Sequence, residues 1–434
     1  MRGEQCSARR RSKRCPKGGE GLSPCTLWSN CDLCVLKKKE KLSVLRVLRG
    51  RKNKSYISNL HITNMTMNTN NMTNSAVELL KRLISTPSIS RDEAKAADIL
   101  LAELNTSNEA LGNVFTVNRH GNNVWCIAND YDASKPTILL NAHIDTVKPV
   151  AGWQHDPFTP TVEDDTLYGL GSNDCGGGLV SLMQVFLCYC TKDSSLFILH
   201  SSLNIIYLAS CEEEVSGKNG IESVLPLLPK IDFAIVGEPT GMQPAIAEKG
   251  LMVIDAVAHG KAGHAARNEG DNAIYHAIED IKWLSEWVFP KQTDLLGPVK
   301  NTVTIVNAGT QHNVIPDQCT FTIDVRSNEC YTNEEIFEFF QQHLKSELKA
   351  RSFRLSSSRI DIDHPFVQRC IAAGLVPFGS PTLSDQALMR FPSLKLGPGQ
   401  SSRSHTAEEY IKISEIDEAI SLYIHLLDGL KLQQ

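Results

Sequence analysis

No run of apolar residues in the 434-residue chain is long enough to cross a bilayer as a helix. The basic start is not followed by an apolar h-region and a small-residue cleavage site, so no secretory signal is read. A zinc ribbon is also missing: Cys31 and Cys34 form a C-x-x-C, but Cys6, Cys15 and Cys25 supply no second close pair. The remaining cysteines are scattered, and scattered cysteines without a signal read as reduced thiols of a cytoplasmic protein. Basic charge is scarce beyond residue 64. Residues 1–64 hold 16 Lys and Arg against 4 Asp and Glu, +12, which leaves −17 for the rest of a chain whose net charge is −5. An acidic body argues against nucleic acid as the main partner, and a basic arm alone would bind it weakly.

What is present is ordinary globular composition, 41% hydrophobic and 21% charged, in a chain longer than one core usually serves. Residues 1–72 read as a basic extension outside the fold, either disordered or not part of the natural product, with Met65, Met67 and Met72 as alternative starts. Ser75 with Glu78 and Ser90 with Glu93 fit the S-x-x-E capping box and predict two helix starts, and Ser414 reads as the N-cap of a last helix ending at Leu427. Residues 123–128, 137–141, 204–210 and 232–237 read as strands, and the apolar run 179–190 as a buried helix. His200, in the long link that follows, reads as a loop residue.

From Gly250 the texture becomes strand, loop, helix, two strands, helix over 333–348, and a strand-like 351–358. That is an α+β unit of its own, inserted in a larger α/β domain. The expected division is 73–248 with 361–434 as one domain and 249–360 as the insertion.

The chemistry gathers around YGLGSNDCGGG, residues 168–178, where Asp174 stands between glycines. His143 and Asp145 lie at the end of one predicted strand, Glu212, Glu213 and Glu214 at the end of another, and Glu238 after a third; His405 follows near the C terminus. Strand ends are where open α/β sheets bind ligands. Imidazoles and carboxylates at such places make a ligand set for two hard or borderline divalent metals. Asp145, two residues from His143, is placed to fix the second ring nitrogen. Adjacent glutamates allow one to bind metal while its neighbour takes a proton from water, which is hydrolytic metal chemistry.

The ordered set HIDTV, YGLGSNDCGGG, CEEEVSG, VGEPT, GKAGHAA, NVIPD and RSHTAEE resembles the M20 metallopeptidases and deacylases over about residues 73–432, and is most similar to their acetylornithine deacetylase group. The resemblance implies a di-zinc aminopeptidase-like domain, with a central mixed sheet and helices on both faces, plus an inserted ferredoxin-like lid and dimerisation domain. It implies two Zn2+, with Co2+ or Mn2+ as substitutes: His143 and Glu238 on one, Glu214 and His405 on the other, Asp174 bridging.

Glu213 would be general base and acid, and Asp145 the partner of His143. His264 would reach across a homodimer to the oxyanion, and the Asp174–Cys175 peptide is expected cis. Asn313, Arg326, Arg267 and Arg403 are the candidates for binding the substrate, with a plain salt bridge as the alternative for Arg403. The implied activity is deacylation of an N-acylated ornithine or citrulline in arginine synthesis, with a dipeptidase or aminopeptidase of the same scaffold as the alternative. A binding protein that kept only the fold is a third reading, against which the intact Glu213 speaks. Cys175 departs from relatives that carry a second acid there.

Overall fold

The structure, a computed structural model, describes residues 62–191, 202–267 and 269–432. The C-x-x-C, the other cysteines of the arm, His200 and most of the 191–203 link lie outside the described residues. In chain order, α1 (Ile62–Ile84) and α2 (Ala94–Ala110) precede β1 (Phe115–His120), β2 (Asn123–Ala128) and β3 (Thr137–His143). Then come β4 (Thr161–Glu163), β5 (Thr166–Tyr168), α3 (Gly177–Cys190), β6 (Asn204–Ser210), β7 (Phe233–Val236) and β8 (Ala245–Glu248). A second group follows: β9 (Met252–His259), β10 (Gly263–His264), α4 (Ala273–Glu286), β11 (Lys300–Ala308), β12 (Val314–Ile315), β13 (Gln318–Arg326), α5 (Asn333–His343) and β14 (Glu347–Ala350). The chain closes with β15 (Ser358–Arg359), α6 (Pro365–Ala372), β16 (Phe378–Ser380), β17 (Ser393–Lys395), β18 (Tyr410–Lys412) and α7 (Ile413–Leu427).

Nine strands form a mixed central sheet in the order β1-β2-β6-β3-β7-β17-β8-β15, with β16 beside β8. Its middle is parallel, since β3 pairs β6 on one side and β7 on the other in the same direction. Side chains on a strand alternate faces. On β3, Ile138 and Leu140 therefore pack with Leu80 of α1, Phe186 of α3 and Tyr423 of α7, while Leu139 faces the opposite way toward Ile206, Leu208, Ile221 and Met389. With both faces covered, every residue of β3, β6 and β7 is buried. Parallel strands present their C-terminal ends on one side, so His143 falls beside Ser210, two residues before Glu212.

The antiparallel sheet β11-β13-β9-β14 carries α4 and α5 and has its own buried cluster, in which Ile254, Leu284, Phe321, Ile323 and Phe340 meet. Only one face of β9 is buried, with Met252, Ile254, Ala256 and Ala258 inside. The edge strand β11 is largely exposed, and Ile305 and Val306 stand in solvent.

Several sequence expectations fail locally. Ser75 caps nothing, because α1 runs unbroken from Ile62 and so begins inside the expected extension. Ser90 and Glu93 make no capping box: α2 starts after Glu93 without a side-chain cap. Ser414 lies inside α7, where Lys412 is the N-cap, and its hydroxyl donates to Asp165 instead. The helix expected over 333–348 stops at His343, and the fourth strand of the smaller sheet is Glu347–Ala350, drawn from what reads as helix, instead of 351–358. Within the expected loop GKAGHAA, Gly263 and His264 pair with β12.

Candidate metal centre

Three strand ends and two loops bring the acids and imidazoles together. His143 ends β3; its Nε2 lies 3.2 Å from Asp174 Oδ1, 3.6 Å from Glu238 Oε1 and 4.0 Å from Glu213 Oε2. His405 Nε2 lies 3.0 Å from Glu214 Oε2 and 3.6 Å from Asp174 Oδ2. Asp174 thus turns one oxygen toward each imidazole. Donor atoms of His143, Glu213 and Glu214 come within 4.8 Å of one another, and so do those of Asp174, Glu214 and His405.

Local backbone explains how Asp174 reaches this point. It sits in a wide turn, Ser172–Gly176, with φ/ψ of −114/98 at Asp174 and −117/40 at Cys175, and the peptide between them is cis. Gly178 lets α3 start against the end of β7, since a Cβ there would stand 1.8 Å from the Gly237 carbonyl oxygen. The buried Cys175 thiol accepts the His143 backbone N–H at 3.2 Å, burial raises its pKa, and its sulfur lies within 4.8 Å of donor atoms of His143 and Glu238.

The acidic turn is held by its own backbone. Glu212 has φ of 56, and three successive N–H groups point at carboxylates: Glu212 N–H to Glu93 at 3.3 Å, Glu213 N–H to Asp145 at 3.0 Å and Glu214 N–H to Asp145 at 3.1 Å. Such successive amides form an anion-binding concavity. Ser90 completes it by donating to Asp145 Oδ2 at 2.7 Å, and the Glu212 side chain closes its own loop onto Asn219 at 2.8 Å. Asp145 therefore positions the turn with its carboxylate. His143 Nδ1 meets the Asp145 backbone oxygen at 2.9 Å, and the carboxylate stands at 3.6 Å.

Electrostatics ask for a cation here. Burial, then the neighbouring charge of Asp174, pushes Glu238 up to about 8. Burial likewise raises Glu213 well above the usual carboxylate range, with Glu238, Asp385 and Glu214 adding to the shift. Glu238 Oε1 is buried and accepts no hydrogen bond from any described residue. An orphaned carboxylate oxygen among converging acids and imidazoles fits a divalent metal, and the nitrogen and oxygen donor set suits zinc, cobalt or manganese. Behind the site, Lys395 and Glu248 form a buried ion pair at 3.1 Å, and Asp385, pushed up to about 6 by burial, accepts from Ser210 at 2.6 Å.

The other expected residues are placed differently. His264, Arg267 and Asn313 lie together on the β10–β12 ribbon, where Asn313 accepts the Ala265 N–H at 3.0 Å and His264 accepts the Arg267 N–H at 3.0 Å through their backbone oxygens. Arg326 is engaged by Asp324 at 2.8 and 3.1 Å. Arg403 places its guanidinium fork on Glu415 at 2.7 and 3.0 Å and lies over the Tyr410 ring, the geometry of the salt bridge weighed beside its expected place against substrate. Among the described residues, no hydrogen bond or ion pair joins His264, Asn313, Arg267 or Arg326 to the proposed metal-ligand group.

Sequence reasoning missed Ser90, Glu93, Asn173, Asp385, Lys395 and Glu409. The S-x-x-E spacing concealed the first two, and the adjacent glutamates of HTAEE were the available signal for Glu409.

Comparison with known proteins places the chain in a family. Residues 139–429 match peptidase family M20/M25/M40. An acetylornithine deacetylase of Yersinia pseudotuberculosis is 29% identical over 390 residues, covering 81% of this chain and 96% of its own. A succinyl-diaminopimelate desuccinylase of a Wolbachia pipientis strain from Culex pipiens is 26% identical over 372 residues, covering 80% and 91%. In fold, the chain is similar to a dinuclear metal-binding peptidase of the M20 family from Bacillus subtilis, with a TM-score of 0.62 at 16% identity over 82% of this chain and 98% of that one. The chain belongs to peptidase family M20/M25/M40.

Proposed function

We propose that the chain is a dinuclear metal amidohydrolase that cleaves the amide of an N-acylated amino acid of the N-acetylornithine or N-acylcitrulline type, releasing the free amine and a carboxylate. The observation that carries this reading is the place of the Glu213 carboxylate, 4.0 Å from His143 and within 4.8 Å of donor atoms of both His143 and Glu214, one from each proposed ligand set. His143 and Glu238 would hold one metal, Glu214 and His405 the other, with Asp174 between them. Bound there, two Zn2+ (or Co2+ or Mn2+) supply Lewis-acid polarisation of the carbonyl and of the attacking water.

The chain's own residues do the rest. Glu213 takes the water proton and delivers it to the leaving nitrogen; burial raises its pKa, which makes its carboxylate a stronger base. Asp145 and Ser90 keep the Glu213 carboxylate aimed by holding its backbone.

The proposed domain division is 73–248 with 361–434 as the metal-binding domain and 249–360 as a lid through which two copies pair. The exposed edge of β11 supports the pairing, because an apolar open edge is a template for another strand. His264 would then donate to the substrate carbonyl oxygen held by a second copy, worth ~3 kcal/mol of barrier in comparable sites. Asn313, Arg326 and Arg267 are the proposed donors to the substrate carboxylate, for which Arg326 must release Asp324. Cytoplasmic arginine synthesis is the proposed setting, supported by the deacetylase relatives; no described helix is long and apolar enough to cross a membrane.

The test is a panel of N-acetylornithine, N-acetylcitrulline, N-succinylcitrulline and simple dipeptides with the zinc-loaded protein. Preferential release of ornithine or citrulline supports the reading. Preferential cleavage of the dipeptides would replace it with the peptidase alternative.

A further inference from the structure

Asp174 and His405 lie 231 positions apart, yet the loops that carry them are tied together in both directions. From one side, the Glu409 carboxylate reaches into the Asp174 turn: Oε1 accepts the N–H groups of Asn173 and Asp174 at 2.9 Å each, and Oε2 accepts that of Gly171 at 3.0 Å. From the other side, the Asn173 amide reaches into the loop ahead of His405. Its Nδ2 donates to the Gln400 carbonyl at 3.1 Å and to Ser404 Oγ at 3.3 Å, and its Oδ1 accepts the Gln400 N–H at 2.9 Å. Both side chains are buried, Asn173 at 0% and Glu409 at 1% exposure.

The chain makes room for this arrangement. Gly399, with φ of 81, packs against the Asn173 amide, where a Cβ would stand 2.2 Å from Oδ1. Gly171, with φ of 75, carries one of the amides that Glu409 grips.

Each side chain thus fixes the backbone of the other loop, and neither is a proposed metal ligand. We infer that Asn173 and Glu409 form a reciprocal clamp, a pair of positioning residues that sets the separation of Asp174 from His405 and thereby the affinity of the His405-side metal. The inference rests on the dinuclear reading above. His143 and Glu238 owe their places chiefly to β3 and to the end of β7; the clamped loops meet that half only where Gln400 pairs with Thr240, two residues after Glu238, and through Asp174, which lies 3.2 Å from His143. The other half is held less directly: Glu214 stands in a turn four residues past β6, and His405 is 53% exposed, with φ of 58, on a loop. Buried polar partners of metal ligands commonly change affinity 10- to 100-fold when removed, and removing one member here leaves the opposing amides unpaired.

The experiment is calorimetric titration of chelator-stripped full-length protein with Zn2+ and with Co2+, together with the melting temperature of each protein before metal is added. Wild type should bind two ions per chain. Glu409→Gln and Asn173→Ala should each weaken the second ion about 10- to 100-fold and the first, which shares Asp174, by clearly less, under about tenfold. The double variant should be no worse than about the stronger single one, as expected of one shared device. If either variant fails to fold, the other carries the same prediction, because each cuts one direction of the clamp. Two ions still bound within about threefold of wild type would overturn the clamp and leave the dinuclear reading standing. Equal weakening of both ions would also overturn it. A wild type that binds fewer than two ions would sink the dinuclear reading itself, and the clamp with it.

Discussion

The two halves of the metal centre are built by different means. His143 and Glu238 stand at the ends of parallel strands whose residues are all buried, and their side chains are 1% and 13% exposed. Glu214 and His405 stand on turns with residues in left-handed backbone, and His405 is 53% exposed. A sheet positions the first pair through hydrophobic packing, whereas carboxylates that cap backbone amides position the second. The proposed two-metal site therefore combines a stiff half with one whose geometry depends on Ser90, Glu93, Asp145, Asn173 and Glu409. Local stability scales with buried apolar contact, so the loop half should open first.

The largest effect that would break this comparison is metal removal. Dialysis against a chelator should abolish hydrolysis, with recovery on adding Zn2+ or Co2+, and release should occur in two phases followed by a metal-sensitive dye. His405→Ala should remove the fast phase and Glu238→Ala the slow one; a single phase in wild type would mean that the halves do not differ.

A smaller effect concerns the capping hydroxyl of the acidic turn. Ser90→Ala should lower kcat about tenfold with KM unchanged and weaken the His405-side metal, because the hydroxyl shares Asp145 Oδ2 with the Glu214 N–H. Ser90→Thr, which keeps the hydroxyl, should restore most of it; equal losses in both variants would point to packing instead.

The smallest effect lies at the rim of the loop half, where His155 bonds Glu408, faces Glu163 at 3.5 Å and stacks on Tyr168 at 4.6 Å between centroids. The Glu408 hydrogen bond raises the pKa of His155 and lowers that of Glu408. A raised histidine contributes stability in full below its ordinary value of about 6.5 and loses it as pH climbs through the folded value, while the depressed Glu408 contributes until pH falls through its own. The melting-temperature difference between wild type and Glu408→Gln should thus be greatest near roughly pH 6 and shrink as pH rises through the raised folded value of His155. A difference that stays constant over that range would remove the latch.

How much of this could be read in the sequence follows the same division. Strands that are continuous apolar runs, such as NIIYLAS and TILLN, announce themselves, and so do ligands placed just beyond them. The positions of Glu214 and His405 are also legible as motifs, but what holds them is not. Ser90 and Glu93 match a helix-capping spacing, yet the carboxylate of Glu93 and the hydroxyl of Ser90 serve partners 119 and 55 positions away. Asn173 and Glu409 bond backbone more than 220 positions distant, a relation with no local periodicity. The strand Glu347–Ala350 was hidden for another reason: Leu344 to Leu348 continues the apolar spacing of α5, and only pairing with β9 makes that segment extended. Local pattern locates chemistry, whereas the side-chain to backbone bonds that steady it are tertiary.

The central claim is that Glu213 moves the proton between two metal-binding halves. Glu213→Gln keeps the shape of the side chain and removes its basicity. Kinetics on the substrate that wild type deacylates best, with metal content measured on the same samples, should show kcat reduced about 10^2- to 10^4-fold with two ions per chain retained. Full activity in that variant with both metals bound would contradict the account.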